Sequence, residues 1–299
     1  MIMYMKTAKP PLIAIVGPNS AGKTSLSIRL AKKFNCEIIS ADSRQVYKGM
    51  DIGTGKATKQ EQRMAKHHLL DIASPTREYN VAHFKCDAEK IIRDIHKRDK
   101  LPILVGGTAF WIYSIIDDLK LPQVKPNKAL RKRLAKKTSQ ELFAMLKKLD
   151  QTRAQTIDQK NPYRLIRAIE IVKATKKPIS KLIKHTPYNL LMLGVTHPRE
   201  KLFKRIDQRL TKRFKQGMIA EVRQLHTRGV SWKRMHDLGL EYRFISLFLQ
   251  KKLTRDEMNW QLSTAIKHYA KRQMTWFERD KRIHWIQNQR EAVQYVKKL

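Results

Sequence analysis

The 299-residue chain predicts an α/β fold, a parallel sheet core interrupted by an inserted, mostly helical, basic module. Three observations predict it. Short apolar β-type runs alternate with amphipathic segments through the first third. A basic, proline-punctuated helical stretch follows, and the apolar run "LLMLGVT" at 190–196 then restores the strand pattern. The implied domains are 1–121 (first part of the core), 122–185 (helical insertion) and 186–299 (remainder of the core with C-terminal helices).

In chain order, 12–16 reads as the first strand, followed by a glycine-bracketed loop and a helix. Residues 36–40 read as the second strand. The segment "VAHFKCDAEKIIRDIHKRDK" places Ala88, Ile91, Ile92 and Ile95 at helical spacing before a third strand at 102–105. Three βα units are therefore expected. The insertion runs from "LPQVKPNKALRKRLAKK" through "SQELFAMLKKL" and "YRLIRAIEIVKATKKP", with Pro122, Pro126, Pro178 and Pro187 as breaks. One long amphipathic helix is expected over 199–229, stopping at Gly229. Another starts at Thr254, where "TRDE" has capping-box spacing, and ends near Phe277.

The formal charge of +37 comes from 63 Lys plus Arg against 26 Asp plus Glu, more than solubility requires. Residues 1–120 carry 20 basic and 12 acidic side chains, whereas 121–299 carry 43 and 14, so the basic field lies mostly outside the loop-bearing region. A polyanion is the expected partner, with solvated lysine-rich helix faces as the plainer alternative. Cys36 and Cys86 make neither a disulfide framework nor a thiolate zinc site. The start "MIMYMKTAKPP" lacks signal-peptide character and no run suits a membrane helix, which predicts a cytoplasmic protein without membrane association.

Gly17-x-x-x-x-Gly22-Lys23-Thr24 matches the P-loop pattern, after a strand and before a helix. The core is accordingly expected to be P-loop NTPase-like. Residues Gly17, Pro18, Asn19, Ser20, Ala21, Gly22, Lys23 and Thr24 would cradle a diphosphate, with Lys23 neutralising oxygens and the Thr24 hydroxyl reaching Mg²⁺. An ordinary NTPase adds a strand ending in a metal-holding carboxylate, but "PILVGGT" ends in glycines and Thr108. Asp42 follows the second strand instead. It can face the phosphate crevice or cap a following helix.

The stretches "GPNSAGKT", "ISADSRQVYKGMDIGTGKA", "HHLLDI", "LVGGT", "RLIRAIEIV", "RIDQRLTKRF" with "GMIAEV", and "YAKRQMTWF" occur in this order over about 12–277. In them the chain resembles the tRNA dimethylallyltransferases. The resemblance implies transfer of a dimethylallyl group from dimethylallyl diphosphate to the exocyclic amine of the adenosine 3′ to a tRNA anticodon. Pyrophosphate is released, and the P-loop holds the prenyl donor rather than ATP.

By the same resemblance Asp42 is the base, Thr108 lies near the diphosphate and reacting carbon, and Arg209 contacts pyrophosphate. Without it, Arg205, Arg209 and Arg213, at i, i+4, i+8, read as a solvated helix face. "DSRQ" (Asp42, Ser43, Arg44, Gln45), "YRLIR" and "YAKRQ" match stretches that touch the anticodon loop. Arg164, Arg167, Lys271 and Arg272 are phosphate-contact candidates, and Gln45 is suited to a base edge. Phe110, Trp111 and Tyr113 either wall the prenyl pocket or pack in the core. A monomer is expected.

Four departures stand out: "GGTAFW" for "GGTGLY", "DQKN" for "HPND", "GTGKA" for "GTAKP" and "AIK" for "ATR". None touches Lys23, Thr24, Asp42, Thr108 or Arg209. His67 and His68 beside Asp71 suit a cap or core role better than a metal site. Two alternatives remain, a P-loop small-molecule or nucleoside kinase and a catalytically idle tRNA-binding relative.

Overall fold

A computed structural model describes residues 9–180 and 185–299. The first eight residues, part of the stretch read above as lacking a targeting signal, and 181–184 of the expected insertion lie outside the described residues. One compact unit runs up to Asp118 and resumes at His185; a second starts at Leu119 and occupies the stretch between.

The first unit begins with β1 (Pro11–Val16), α1 (Lys23–Phe34), β2 (Cys36–Ser40), α2 (Lys59–Met64), β3 (His67–His68), α3 (Val81–Lys97), β4 (Leu101–Val105) and α4 (Ala109–Ile116). Residues of β1, β2 and β4 are buried throughout or nearly so. Their continuous apolar runs are what a parallel sheet covered on both faces requires. Helix α3 buries Phe84, Ala88, Ile92 and Ile95, one stripe at helical spacing.

The second unit holds α5 (Lys128–Leu134), α6 (Ser139–Leu149), α7 (Gln151–Thr156) and α8 (Pro162–Thr175). Its own core includes Leu134, Leu142, Leu146, Leu165 and Ile169. Each helix start carries a side-chain cap: Asn127, Thr138 with Glu141, Asp150 and Asn161. Glu170 is buried and accepts from the Arg131 guanidinium at 2.8 and 2.9 Å, from Asn127 N at 2.7 Å and from Arg167. Burial alone would push this carboxyl up, but those donors outweigh it and hold its pKa at about 2.

The chain returns to the first unit with β5 (Asn189–Val195), α9 (Arg199–Lys215), α10 (Met218–Thr227), α11 (Trp232–Leu238), α12 (Leu240–Leu249), α13 (Arg255–Phe277), β6 (Ile283–Ile286) and α14 (Gln289–Lys297). All six strands are parallel, in the order β3-β2-β4-β1-β5-β6. The single helix expected over 199–229 is two, because Gly217 adopts φ +95° between α9 and α10 and turns the chain. Thr254 caps α13 with Glu257 in a full capping box, and the helix ends at Phe277. No helix among the described residues is long and apolar enough to cross a membrane.

Candidate active site

The loop between β1 and α1 lies at the carboxyl edge of the sheet, where ligands of open α/β sheets bind. Gly17 has φ +139°, and a Cβ there would lie 2.1 Å from the Val195 carbonyl oxygen at the end of β5. Only glycine fits so close a crossing. Gly22, at φ +107°, opens α1 with no side-chain cap. The first-turn amides of α1 thus remain available to an anion, at the positive end of the helix.

Lys23 Nζ donates to the Gly17 and Pro18 carbonyl oxygens at 2.9 and 2.8 Å. Burial lowers its pKa to about 8; Asp42 opposes the shift and Arg209 adds to it. Asp42 stands just past β2. Its Oδ1 accepts from Arg44 N at 2.9 Å, and residues 43–46 form turns, so the helix that Asp42 could have capped does not form. Ser43 N donates to Thr108 Oγ1 at 3.2 Å, which ties the Asp42 turn to the start of α4.

Along α9, Arg213 is buried and Arg209 half-buried, whereas Arg205 is exposed, so the i, i+4, i+8 row is not a uniformly solvated face. Arg205 Nε donates to Ser20 O at 2.9 Å, Arg209 Nη2 to Gly55 O at 3.2 Å and Arg213 Nη1 to Gly53 O at 3.2 Å. Burial and then the neighbouring Arg213 charge bring the Arg209 pKa down to about 10. Glu241 pairs with Arg213 at 3.2 Å. Desolvation nonetheless pushes its carboxyl above the ordinary value.

One cavity of about 1070 Å³ is lined by Lys23, Thr24, Asp42, Arg44, Arg209, Arg213, Glu241 and Tyr269 among others. It therefore joins most of the expected chemistry. Thr108 stands beside it, held to Ser43. Trp111 and Tyr113 do not wall it; both are buried, and Trp111 stacks on Phe84 with centroids 4.4 Å apart. Phe110 is exposed and also lies off the lining.

Gln45 also lines the cavity, where its Oε1 accepts from the Ser40 hydroxyl at 3.0 Å. Lys271 and Arg272 are exposed on α13. In the second unit Arg164 is exposed beside Tyr163, itself 85% exposed, whereas Arg167 is tied to Glu170 and donates to Val124 O at 3.0 Å. The His67, His68, Asp71 group is dispersed. His67 Nδ1 meets Ala65 O at 2.7 Å, His68 Nε2 meets Glu37 at 2.7 Å, and Asp71 binds Lys56 at 2.5 Å.

Sequence reasoning missed Glu221 of α10. Its carboxylate accepts from the backbone N–H groups of Asp51, Ile52 and Gly53 at 2.8, 2.6 and 3.0 Å and from the Tyr242 hydroxyl at 2.8 Å. It shapes the loop whose carbonyls receive Arg209 and Arg213. It also missed Gln273, buried on α13 between two loops.

Residues 45–280 match the IPP transferase family model. The chain belongs to the IPP transferase family. It is 40% identical to a tRNA dimethylallyltransferase of Carboxydothermus hydrogenoformans, over 95% of this chain and 94% of that one. To tRNA dimethylallyltransferase 2 of Treponema denticola it is 43% identical, over 92% and 95%. Among solved structures, the tRNA isopentenylpyrophosphate transferase of Bacillus halodurans aligns at TM-score 0.74 and 35% identity, covering 97% of this chain and 96% of that chain. A eukaryotic dimethylallyltransferase acting on tRNA aligns at TM-score 0.74 and 26% identity, covering 90% and 70%. Both alignments extend over nine-tenths or more of this chain, 97% and 90%.

Proposed function

We propose that the protein transfers a dimethylallyl group from dimethylallyl diphosphate to the exocyclic amine of the adenosine 3′ to the anticodon in tRNA, releasing pyrophosphate. The observation that carries this reading is one cavity lined at once by Lys23, Thr24, Asp42 and Arg209. Two cations there can meet a diphosphate, and a carboxylate stands ready for a proton.

In this reading the allylic carbon–oxygen bond breaks with its electron pair going to the diphosphate, and a nitrogen–carbon bond forms. Asp42 takes the proton leaving the amine, a general-base role of roughly 10²–10⁴ in rate. Lys23, Arg209 and the α1 amides stabilise charge on the leaving group. Thr24 presents a hydroxyl to the same cavity, a donor of the hard oxygen type that Mg²⁺ accepts alongside phosphate oxygens and water. Bound there, Mg²⁺ would supply further neutralisation of the diphosphate.

The adenosine must leave its stack to reach Asp42. Ser43, Arg44, Lys271 and Arg272 are assigned to RNA contacts near the cavity. Arg164, with Tyr163 as a stacking platform, is assigned to contacts on the helical insertion, the unit that begins near residue 119. The enzyme is proposed to act as a monomer in the cytoplasm.

The test incubates protein with unmodified tRNA, Mg²⁺ and labelled dimethylallyl diphosphate, then digests the RNA. Prenylated adenosine is expected from the native protein and is lost in Asp42→Ala, which still binds pyrophosphate. Turnover retained in that variant refutes the base assignment. Phosphoryl transfer from ATP without RNA would favour a kinase, and tRNA binding without transfer an idle relative.

A further inference from the structure

Gln273 occupies an unusual position for a residue in a stretch matched to RNA contact. It is 4% exposed, and both ends of its amide are used. Oε1 accepts from Asn19 N in the phosphate loop at 2.9 Å, and Nε2 donates to Gly107 O, one residue before Thr108, at 3.0 Å. The two bonds span 254 and 166 residues of sequence. A Cβ on Gly107 would lie 2.2 Å from Nε2, so glycine there is what admits the amide.

We propose that Gln273 is a positioning residue that fixes the diphosphate loop against the turn bearing Thr108. Thr108 accepts from Ser43 N, next to Asp42, so the fixed unit reaches from the leaving-group cradle to the base. Prenyl transfer needs the breaking bond and the attacking nitrogen aligned to within a fraction of an ångström. The β1–β4 pairing, closed by the Gly106 N to Ile15 O bond at 3.2 Å, already sets the two loops side by side. Gln273 adds a side-chain tether between them from a third element, α13, on which the two residues just before it, Lys271 and Arg272, are exposed.

The role rests on the proposed function for its chemistry, but not for its first test. Pyrophosphate with Mg²⁺ is titrated calorimetrically into native protein and Gln273→Ala, at temperatures below both melting transitions. Loss of the Asn19 tether is expected to weaken binding about tenfold. Unchanged affinity in folded Gln273→Ala overturns the proposal. In prenyl transfer, kcat should fall while KM for tRNA holds; a raised KM for tRNA with unchanged pyrophosphate affinity returns Gln273 to the RNA contacts.

Gln273→Glu is the second variant. It keeps an acceptor for Asn19 N but, ionised, opposes the Gly107 carbonyl, and on protonation regains a donor. Its pyrophosphate affinity relative to native protein should therefore rise as pH falls, and a flat ratio overturns the tether. Native protein that binds pyrophosphate without transferring a prenyl group would sink the proposed function and leave these binding tests in force.

Discussion

The lowered pKa of Lys23 makes the proposed diphosphate site pH-sensitive in a calculable way. In the free protein the ammonium titrates near pH 8. A bound diphosphate restores it at least to the ordinary lysine value of about 10.4. Binding is then strongest below about pH 8 and weakens as pH rises through it, because the free protein must regain a proton to bind. Between pH 7 and pH 9 the linkage factor is about tenfold, or about 1.4 kcal/mol. Pyrophosphate changes its own charge over that range, so the quantity to follow is the ratio of affinities of native protein and Lys23→Met. That ratio cancels the ligand's titration and should fall about tenfold by calorimetry at constant Mg²⁺. A ratio that stays level refutes the assignment of Lys23 as the buried cation that takes the diphosphate.

Gly17→Ala places a methyl 2.1 Å from Val195 O at φ +139°, so chemical denaturation should show a loss of about 2–4 kcal/mol, with weakened pyrophosphate binding. Glu221→Gln leaves amides of the 51–53 loop facing an NH₂ group; a stability loss of about 1–3 kcal/mol and a kcat reduced about tenfold are expected, the latter through displaced Arg209. Arg209→Ala should weaken pyrophosphate binding more than Arg205→Ala, since Arg209 lines the cavity at depth while Arg205 is exposed. Glu37 is buried, which would raise its pKa, but hydrogen bonds from Arg98, His68 and Lys100 hold it far below the ordinary range. A carboxyl depressed in the folded state stabilises above its unfolded pKa of about 4.3 and loses that contribution as pH falls. Denaturation at pH 7 and pH 3.5 should therefore show the stability gap between native protein and Glu37→Gln narrowing on acidification.

What could be read from the chain was whatever is local. The phosphate loop is eight contiguous residues whose types answer to one backbone shape, and strands β1, β2 and β4 announce themselves as apolar runs because both their faces are covered. Strands β3 and β6, of two and four residues, are too short to leave a periodic signal. The α9–α10 break was hidden because hydrophobic spacing continues across Gly217, and only its positive φ turns the chain. Glu221 and Gln273 escaped for a different reason. Their backbone partners lie 168 to 170 and 166 to 254 residues away, and neither composition nor period says that a carboxylate on one helix will fill a ring of amides in a distant loop. The family resemblance marked both stretches without stating what either side chain touches.

The high basic charge raises a problem that the site solves by sorting. Lys56 lies almost wholly buried but is held by Asp51 and Asp71 at 2.6 and 2.5 Å, and Arg213 is met by Glu241. These cations are already neutralised, so they shape loops and add little to an incoming anion. Lys23 and Arg209 donate instead to carbonyl oxygens, and neither forms an ion pair among the described residues. Carbonyl dipoles orient a cation without cancelling its charge. Both pKa values are driven down by burial, which Asp42 near both and Glu241 near Arg209 offset only in part, so each group gains from a further negative charge beside it. Among the cavity cations, the proposed preference for a diphosphate therefore comes less from where positive charge is placed than from where directly pairing carboxylates are withheld. Supplying one, as in Gly22→Asp at the mouth of α1, should weaken pyrophosphate binding well beyond the equally strained, uncharged Gly22→Asn, while leaving the Lys56 and Arg213 pairs intact.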